Sequence, residues 1–149
     1  MKIFVDADSC PPRVREIVIK ACNSKKVPAV FIANRDIPGV KTPFSTMIVV
    51  PPDPEAVDMY IVEHVSLEDM VITRDIPLAH DLVTEGVTVL NDRGTVFDFN
   101  SIRERLSLRD ISKSLRESGI YIEESDRFGK RDIKAFADSF DRELHRKIK

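Results

Sequence analysis

The sequence predicts a three-layer α/β/α fold: a mostly parallel five-stranded sheet, helices on both faces, and further helices at the C-terminal end. Three observations carry this prediction. Five short apolar runs recur along the chain, and three of the four intervals between them hold longer stretches whose apolar residues fall at helical spacing. Prolines open those longer stretches, where a missing backbone N–H costs nothing. The strands are apolar throughout rather than alternating, as strands covered on both faces must be. Strand-helix-strand repeats of this length give parallel pairing through right-handed crossovers.

The elements follow in order. Ile3, Phe4 and Val5 form a buried strand that ends on Asp6 and runs through Asp8 into Pro11 and Pro12. Val14, Ile17, Val18, Ala21 and Cys22 then make residues 11–24 an amphipathic helix. Pro28 introduces AVFIAN, the second strand; residues 35–43, with Pro38, Gly39 and Pro43, read as loop; and STMIVVP is the third strand. Helix resumes at Asp53 or Pro54, with Val57, Ile61 and Val65 inward and His64 on its apolar face. Residues 69–73, DMVIT, are the fourth strand, and a helix opened by Pro77 carries Leu78, Leu82 and Val83 to a stop at Gly86. Val87 to Leu90 is the fifth strand. Beyond a short TVFDF stretch, helices are expected near 101–118 and 131–147, broken at Ser118 and Gly119, with residues 127–130 an exposed loop.

A chain of 149 residues with 42% hydrophobic content suits one domain, able to bury roughly two-thirds of its unfolded surface. Residues 101–149 are read as a helical extension packed on it. No apolar run approaches the roughly 20 residues that cross a bilayer, and the N-terminus lacks a signal-peptide pattern, so a cytoplasmic protein without a membrane partner is expected. Two cysteines, Cys10 and Cys22, give neither a disulfide framework nor a CxxC zinc spacing. Residues 1–100 hold 10 Lys+Arg against 15 Asp+Glu, whereas residues 101–149 hold 13 against 10. An acidic region followed by a mildly basic tail suits a metal-bearing centre flanked by phosphate-attracting side chains, and equally a solvated helical surface.

In such a sheet, ligands bind beyond the carboxyl ends of the strands. Asp6 and Asp8 close the first strand there, Asp75 follows the fourth, Asn91 and Asp92 follow the fifth, and Asp58 faces the same edge from the start of its helix. Carboxylates converging without lysines repel one another, and a hard cation, Mg²⁺ or Mn²⁺, is their natural counter-charge. Asp6, Asp8, Asp58, Asp75 and Asp92 are the expected metal ligands, and phosphodiester hydrolysis is the expected reaction. Thr73, Arg74, Asn91 and Arg93 are placed against substrate, the arginines alternatively neutralising adjacent carboxylates. Helix capping by Asp8 or Ser9, and by Asp75, is the competing structural role. Asp53, Asp69 and Asp81 read as cap or surface residues. Cys10 lies near a helix start, but its C-x4-R spacing to Arg15 is not the C-x5-R of cysteine phosphatases, which favours a buried or capping thiol.

DADSCP at 6–11, VITRDIPLA at 71–79 and LNDRG at 90–94, followed by IRERLSLRD and RDIKAFADSFDREL, resemble the YaiI/YqxD family of small bacterial proteins. That family is regarded as similar to PIN-like nuclease domains, which hold divalent metal with acidic residues at the carboxyl ends of parallel strands. The resemblance implies catalytic roles for Asp6, Asp58 and Asp75, with Asp8 beside them, and RNA as the partner. Two rival functions are weighed. VDADSC also resembles the D-x-D motif of haloacid-dehalogenase-type phosphatases, with Asp6 as nucleophile and Asp8 as acid/base, but no lysine lies between residues 70 and 100 to complete that site. A non-catalytic RNA- or nucleotide-binding module is the other.

Overall fold

A computed structural model describes residues 1–120 and 127–148. Its elements are β1 (Ile3–Asp6), α1 (Pro12–Lys25), β2 (Ala29–Ala33), β3 (Ser45–Val49), α2 (Ala56–His64), β4 (Met70–Ile72), α3 (Ile76–Thr84), β5 (Thr88–Leu90), α4 (Phe99–Glu117) and α5 (Lys130–Lys147). All five strands are parallel, in the order β3-β2-β1-β4-β5. The chain walks outward from β1 through β2 to β3, then returns to the other side of β1 to lay down β4 and β5. The strand order therefore reverses between β1 and β4, and a crevice opens at their carboxyl ends.

Alternation along each strand sorts the core into two layers. Ile3 and Val5 of β1, Phe31 of β2, and Met70 and Ile72 of β4 face α1 and α5, where Val14, Val18, Phe136, Phe140 and Leu144 meet them. Phe4, Ile32, Val71 and Val89 face the opposite way, against Ile61, Leu78, Leu82 and Ile102 of α2, α3 and α4. α4 lies along α3 and α5 along α1. The two C-terminal helices thus belong to opposite layers, and α5 supplies three fully buried side chains to the core. No described helix is long and apolar enough to cross a membrane.

Several local expectations change. α2 begins at Ala56, because Asp53 and Pro54 form a turn in which the Asp53 carbonyl and carboxylate accept from Ala56 and Glu55 N–H. Pro11 is the residue before α1, so neither Asp8 nor Ser9 caps it. His64 is exposed and stacks on Tyr60 with ring centroids 4.0 Å apart, rather than lying inward. In the 127–130 loop, Phe128 is half-buried against the α1/α5 layer.

Asp69 is no surface residue either: it is buried, and its carboxylate accepts from Lys2 N–H at 2.8 Å, Ser66 N–H at 2.8 Å and the Ser66 hydroxyl at 3.0 Å. It ties the start of β1 to the turn before β4. Asp69→Asn would turn one acceptor into a donor facing N–H groups, and an unmet buried bond costs about 1–3 kcal/mol. A fall of about 2 kcal/mol in unfolding free energy is expected in a urea titration; an unchanged midpoint would show that the turn rearranges at no cost.

Candidate functional site

Strand parity aims the first pair of groups. Residues 4 and 6 share one face of β1, and residues 71 and 73 share the same face at β4, so Asp6 and Thr73 both leave the sheet toward α2 and α3. The Thr73 hydroxyl donates to Asp6 Oδ2 at 3.0 Å, and accepts from the Asp75 N–H at 3.0 Å. Asp75 is the N-cap of α3, its Oδ1 accepting from Leu78 N–H at 2.9 Å. Capping and site-building are therefore not alternatives for Asp75. One oxygen caps the helix while the residue lines the crevice. Asp58, third residue of α2, comes in from the helix that packs on β1 and β2.

Asp6, Asp58 and Asp75 line an open cleft of about 450 Å³ together with Asp8, Arg74, Asn34 and Asp53, whereas Thr73 is buried behind Asp6 and does not line it. Burial pushes the Asp6 carboxyl up to about 6; the Thr73 hydroxyl opposes this, and the charges of Asp75 and Asp8 add to it. Asp58 is driven up to about 7 by burial, by the charge of Asp75, by a proton shared with that carboxylate, and by Asp6 and Glu55. The cleft is short of positive charge.

The remaining predicted residues divide between the cleft wall and places outside it. Asp8 reaches across to the end of β2, accepting from Asn34 N–H at 3.0 Å and lying 3.8 Å from Arg35. Asp92 is buried and outside the cleft, 3.6 Å from Arg74, whose half-exposed side chain lines it. Burial raises the Asp92 carboxyl, opposed by Arg74 and Arg93. Asn91 Oδ1 accepts from the N–H groups of Arg93 and Thr95, closing the loop after β5. Arg93 pairs with Asp132 of α5 at 3.0 Å and lies over the Phe128 ring. Neither Asn91 nor Arg93 lines the cleft. Among the described residues no three His, Cys, Asp or Glu side chains are grouped so that together they could hold a metal ion.

Cys10 is buried, and burial pushes its thiol up to about 12 against the opposing charge of Arg15, which makes it a packing residue and not a nucleophile. Sequence reasoning overlooked Asn34 and Asp53. Asn34 follows β2 on the same carboxyl edge as Asp6, so the parallel reading of the strands already contained that signal. Asp53 lies between the third strand and α2, and nothing in its local pattern distinguishes it from a turn residue.

The chain belongs to the YaiI/YqxD family: residues 4–146 match the model described as "Uncharacterized BCR, YaiI/YqxD family". It is 44% identical over 149 residues to a UPF0178 protein of Treponema denticola, covering 100% of this chain and 95% of that one. It is 45% identical over 143 residues to a UPF0178 protein of Treponema pallidum, covering 96% and 81%. With that of Syntrophobacter fumaroxidans it shares 40% over 149 residues, covering 100% and 97%. No solved structure matches the chain.

Proposed function

We propose that this member of the YaiI/YqxD family is a divalent-metal-dependent nuclease of PIN-like type, acting on phosphodiesters of RNA. The observation that carries the reading is the convergence of Asp6, Asp58 and Asp75, from three different elements, in one cleft at the point where strand order reverses. Mutual repulsion there is relieved by protons or by a bound cation. The cleft offers hard carboxylate oxygens, the donor type Mg²⁺ and Mn²⁺ take, and since no three of the described His, Cys, Asp or Glu side chains are grouped to hold an ion, such a metal would rest on one or two carboxylates with water and substrate phosphate. When bound, such an ion withdraws charge from a phosphoryl oxygen and favours ionisation of a nearby water.

The chain's own residues divide the remaining work. Asp6 and Asp75 would hold the cation, with Thr73 fixing the orientation of Asp6 from one side and the backbone of Asp75 from the other. Asp58, least able to stay ionised, accepts the proton of the attacking water. Arg74 on the cleft wall and Arg35, paired to Asp8, present guanidinium groups to the phosphates on either side. Asp8 then acts through Arg35 and the end of β2.

Thermal unfolding with and without Mn²⁺ tests the reading. Saturation at about 100 times the dissociation constant adds roughly 2.7 kcal/mol, or about 5–10 °C for a chain of this size. The shift is expected in wild type and not in Asp75→Asn, which keeps the helix cap because Asn caps as well as Asp. Cleavage of single-stranded RNA is expected only with metal present. No shift with Mg²⁺ or Mn²⁺, and no cleavage, would sink the proposal; RNA binding that persists without cleavage would select the binding-module reading.

A further inference from the structure

From residue 42 to residue 92 the chain carries ten Asp and Glu and a single Lys or Arg, Arg74. This span holds α2 and α3, so that layer is strongly acidic. α2 packs on β1 and β2, whereas α3 leans on β5 and α4, and a furrow runs between the two helices. Its larger part, about 620 Å³, is lined by Val62, Leu67, Leu82 and Val87 together with Glu85 and with Asp81, which lies 3.6 Å from His80 on the same wall. Val62 and Asp81 continue it into a second stretch of about 360 Å³ that holds Met59 and Glu63 and ends at Asp58. Met59, Val62 and Leu67 are each more than half exposed. An apolar floor of this extent with acidic walls suits a basic amphipathic helix.

The chain itself presents one. α4 packs against α3 and buries Ile102, but Leu108 and Ile111 are more than half exposed. Leu108, Ile111 and Leu115, spaced i, i+3 and i+7, fall on one face. Arg105, Arg109 and Arg116 line one side of that stripe and Glu104 lies on it; Arg109 and Arg116 make no ion pair among the described residues, and Glu63 and Glu85 on the furrow wall make none either. Apolar stripe and apolar floor, basic flank and acidic wall, are complementary in both respects. We infer that the exposed stripe of α4 docks into the α2/α3 furrow of a second copy, a two-fold axis closing two reciprocal contacts into a dimer. The stripe lies outside the carboxylate cleft and the furrow meets that cleft only at Asp58, so association is read without reference to cleavage.

Sedimentation across the micromolar to millimolar range tests it. Wild type is expected to dimerise, and Leu108→Asp/Ile111→Asp on the stripe or Val62→Asp/Leu67→Asp in the furrow each raises the dissociation constant by about 100-fold. All four positions are exposed, and circular dichroism confirms that the variants fold. Mixing the two double variants restores one of the two contacts and hence a weak heterodimer. Independently, Arg105→Glu/Arg109→Glu weakens the dimer, and a chain carrying Glu63→Lys/Glu85→Lys re-associates with it. A wild type that stays monomeric overturns the inference. So does dissociation by the stripe variant alone or the furrow variant alone, which would mean that like surfaces pair.

Discussion

Gly94→Ala is expected to cost about 3 kcal/mol or more and to detach α5. Gly94 has φ +83°, a left-handed conformation that costs an L-residue about 1–2 kcal/mol. A Cβ there would also fall on the backbone carbonyl of Ala135, and 2.9 Å from the Phe136 nitrogen. Backbone in the middle of a helix cannot yield as the end of a flexible side chain can. The only relief is for α5 to move away from the loop after β5, which withdraws Phe136, Phe140 and Leu144 from the α1 layer. The same joint is held by the Arg93–Asp132 pair and by Asp132 accepting from Gly129 N–H at 2.9 Å. Gly39 supplies the comparison, because its φ is +84° but a Cβ would meet nothing within 4 Å. Gly39→Ala should cost about 1 kcal/mol. Urea unfolding of both variants decides the matter: equal costs would mean that the loop and α5 do not press on each other.

That joint also explains what is legible in the sequence and what is not. Strand and helix identities follow from apolar period and proline placement, both local properties, and the parallel pairing follows from crossover length. The direction in which Asp6 and Thr73 leave the sheet follows from period two once the strands are fixed. The destinations of long side chains beyond the strand ends are not local. Asn91 and Arg93 lie on the expected edge by sequence position, yet Asn91 turns inward to close its own loop and Arg93 reaches α5, separated by nearly forty residues. Asp8 has the same parity as Asp6, but the strand has ended and the chain is free to turn it toward Asn34 and Arg35. Asp69 reads as a cap or surface residue because its chief partner, the Lys2 N–H, is 67 positions away. Polar groups whose partners are distant in sequence are where a reading of pattern stops.

Asp6→Asn is expected to remove RNA cleavage by about a thousandfold, roughly 4 kcal/mol of barrier, while making the metal-free protein more stable. The two signs have one cause. In the folded chain Asp6 ionises near 6 and Asp58 near 7, both above the ordinary 3.8, so the fold binds these protons more tightly than the unfolded chain does. The stability this confers is fully present below about pH 4 and is lost as pH rises through 6 and 7. At pH 8 both carboxylates are charged in a half-buried cleft without a counter-ion. An amide at position 6 removes one of those charges and still accepts from the Thr73 hydroxyl. A tenfold tighter hold on a proton is worth about 1.4 kcal/mol; with solvent screening discounted, Asp6→Asn should gain about 1–2 kcal/mol at pH 8 and nothing at pH 4. Saturating Mn²⁺ should reverse the order of the two proteins, stabilising wild type and leaving the variant where it was. Urea titrations at both pH values, with and without metal, read all four quantities. Because the inactive protein would be the more stable one, lost cleavage could not be blamed on misfolding. If Asp6→Asn were instead less stable at pH 8, the carboxylates would already be balanced by protein groups, and the cleft would have no need of a cation.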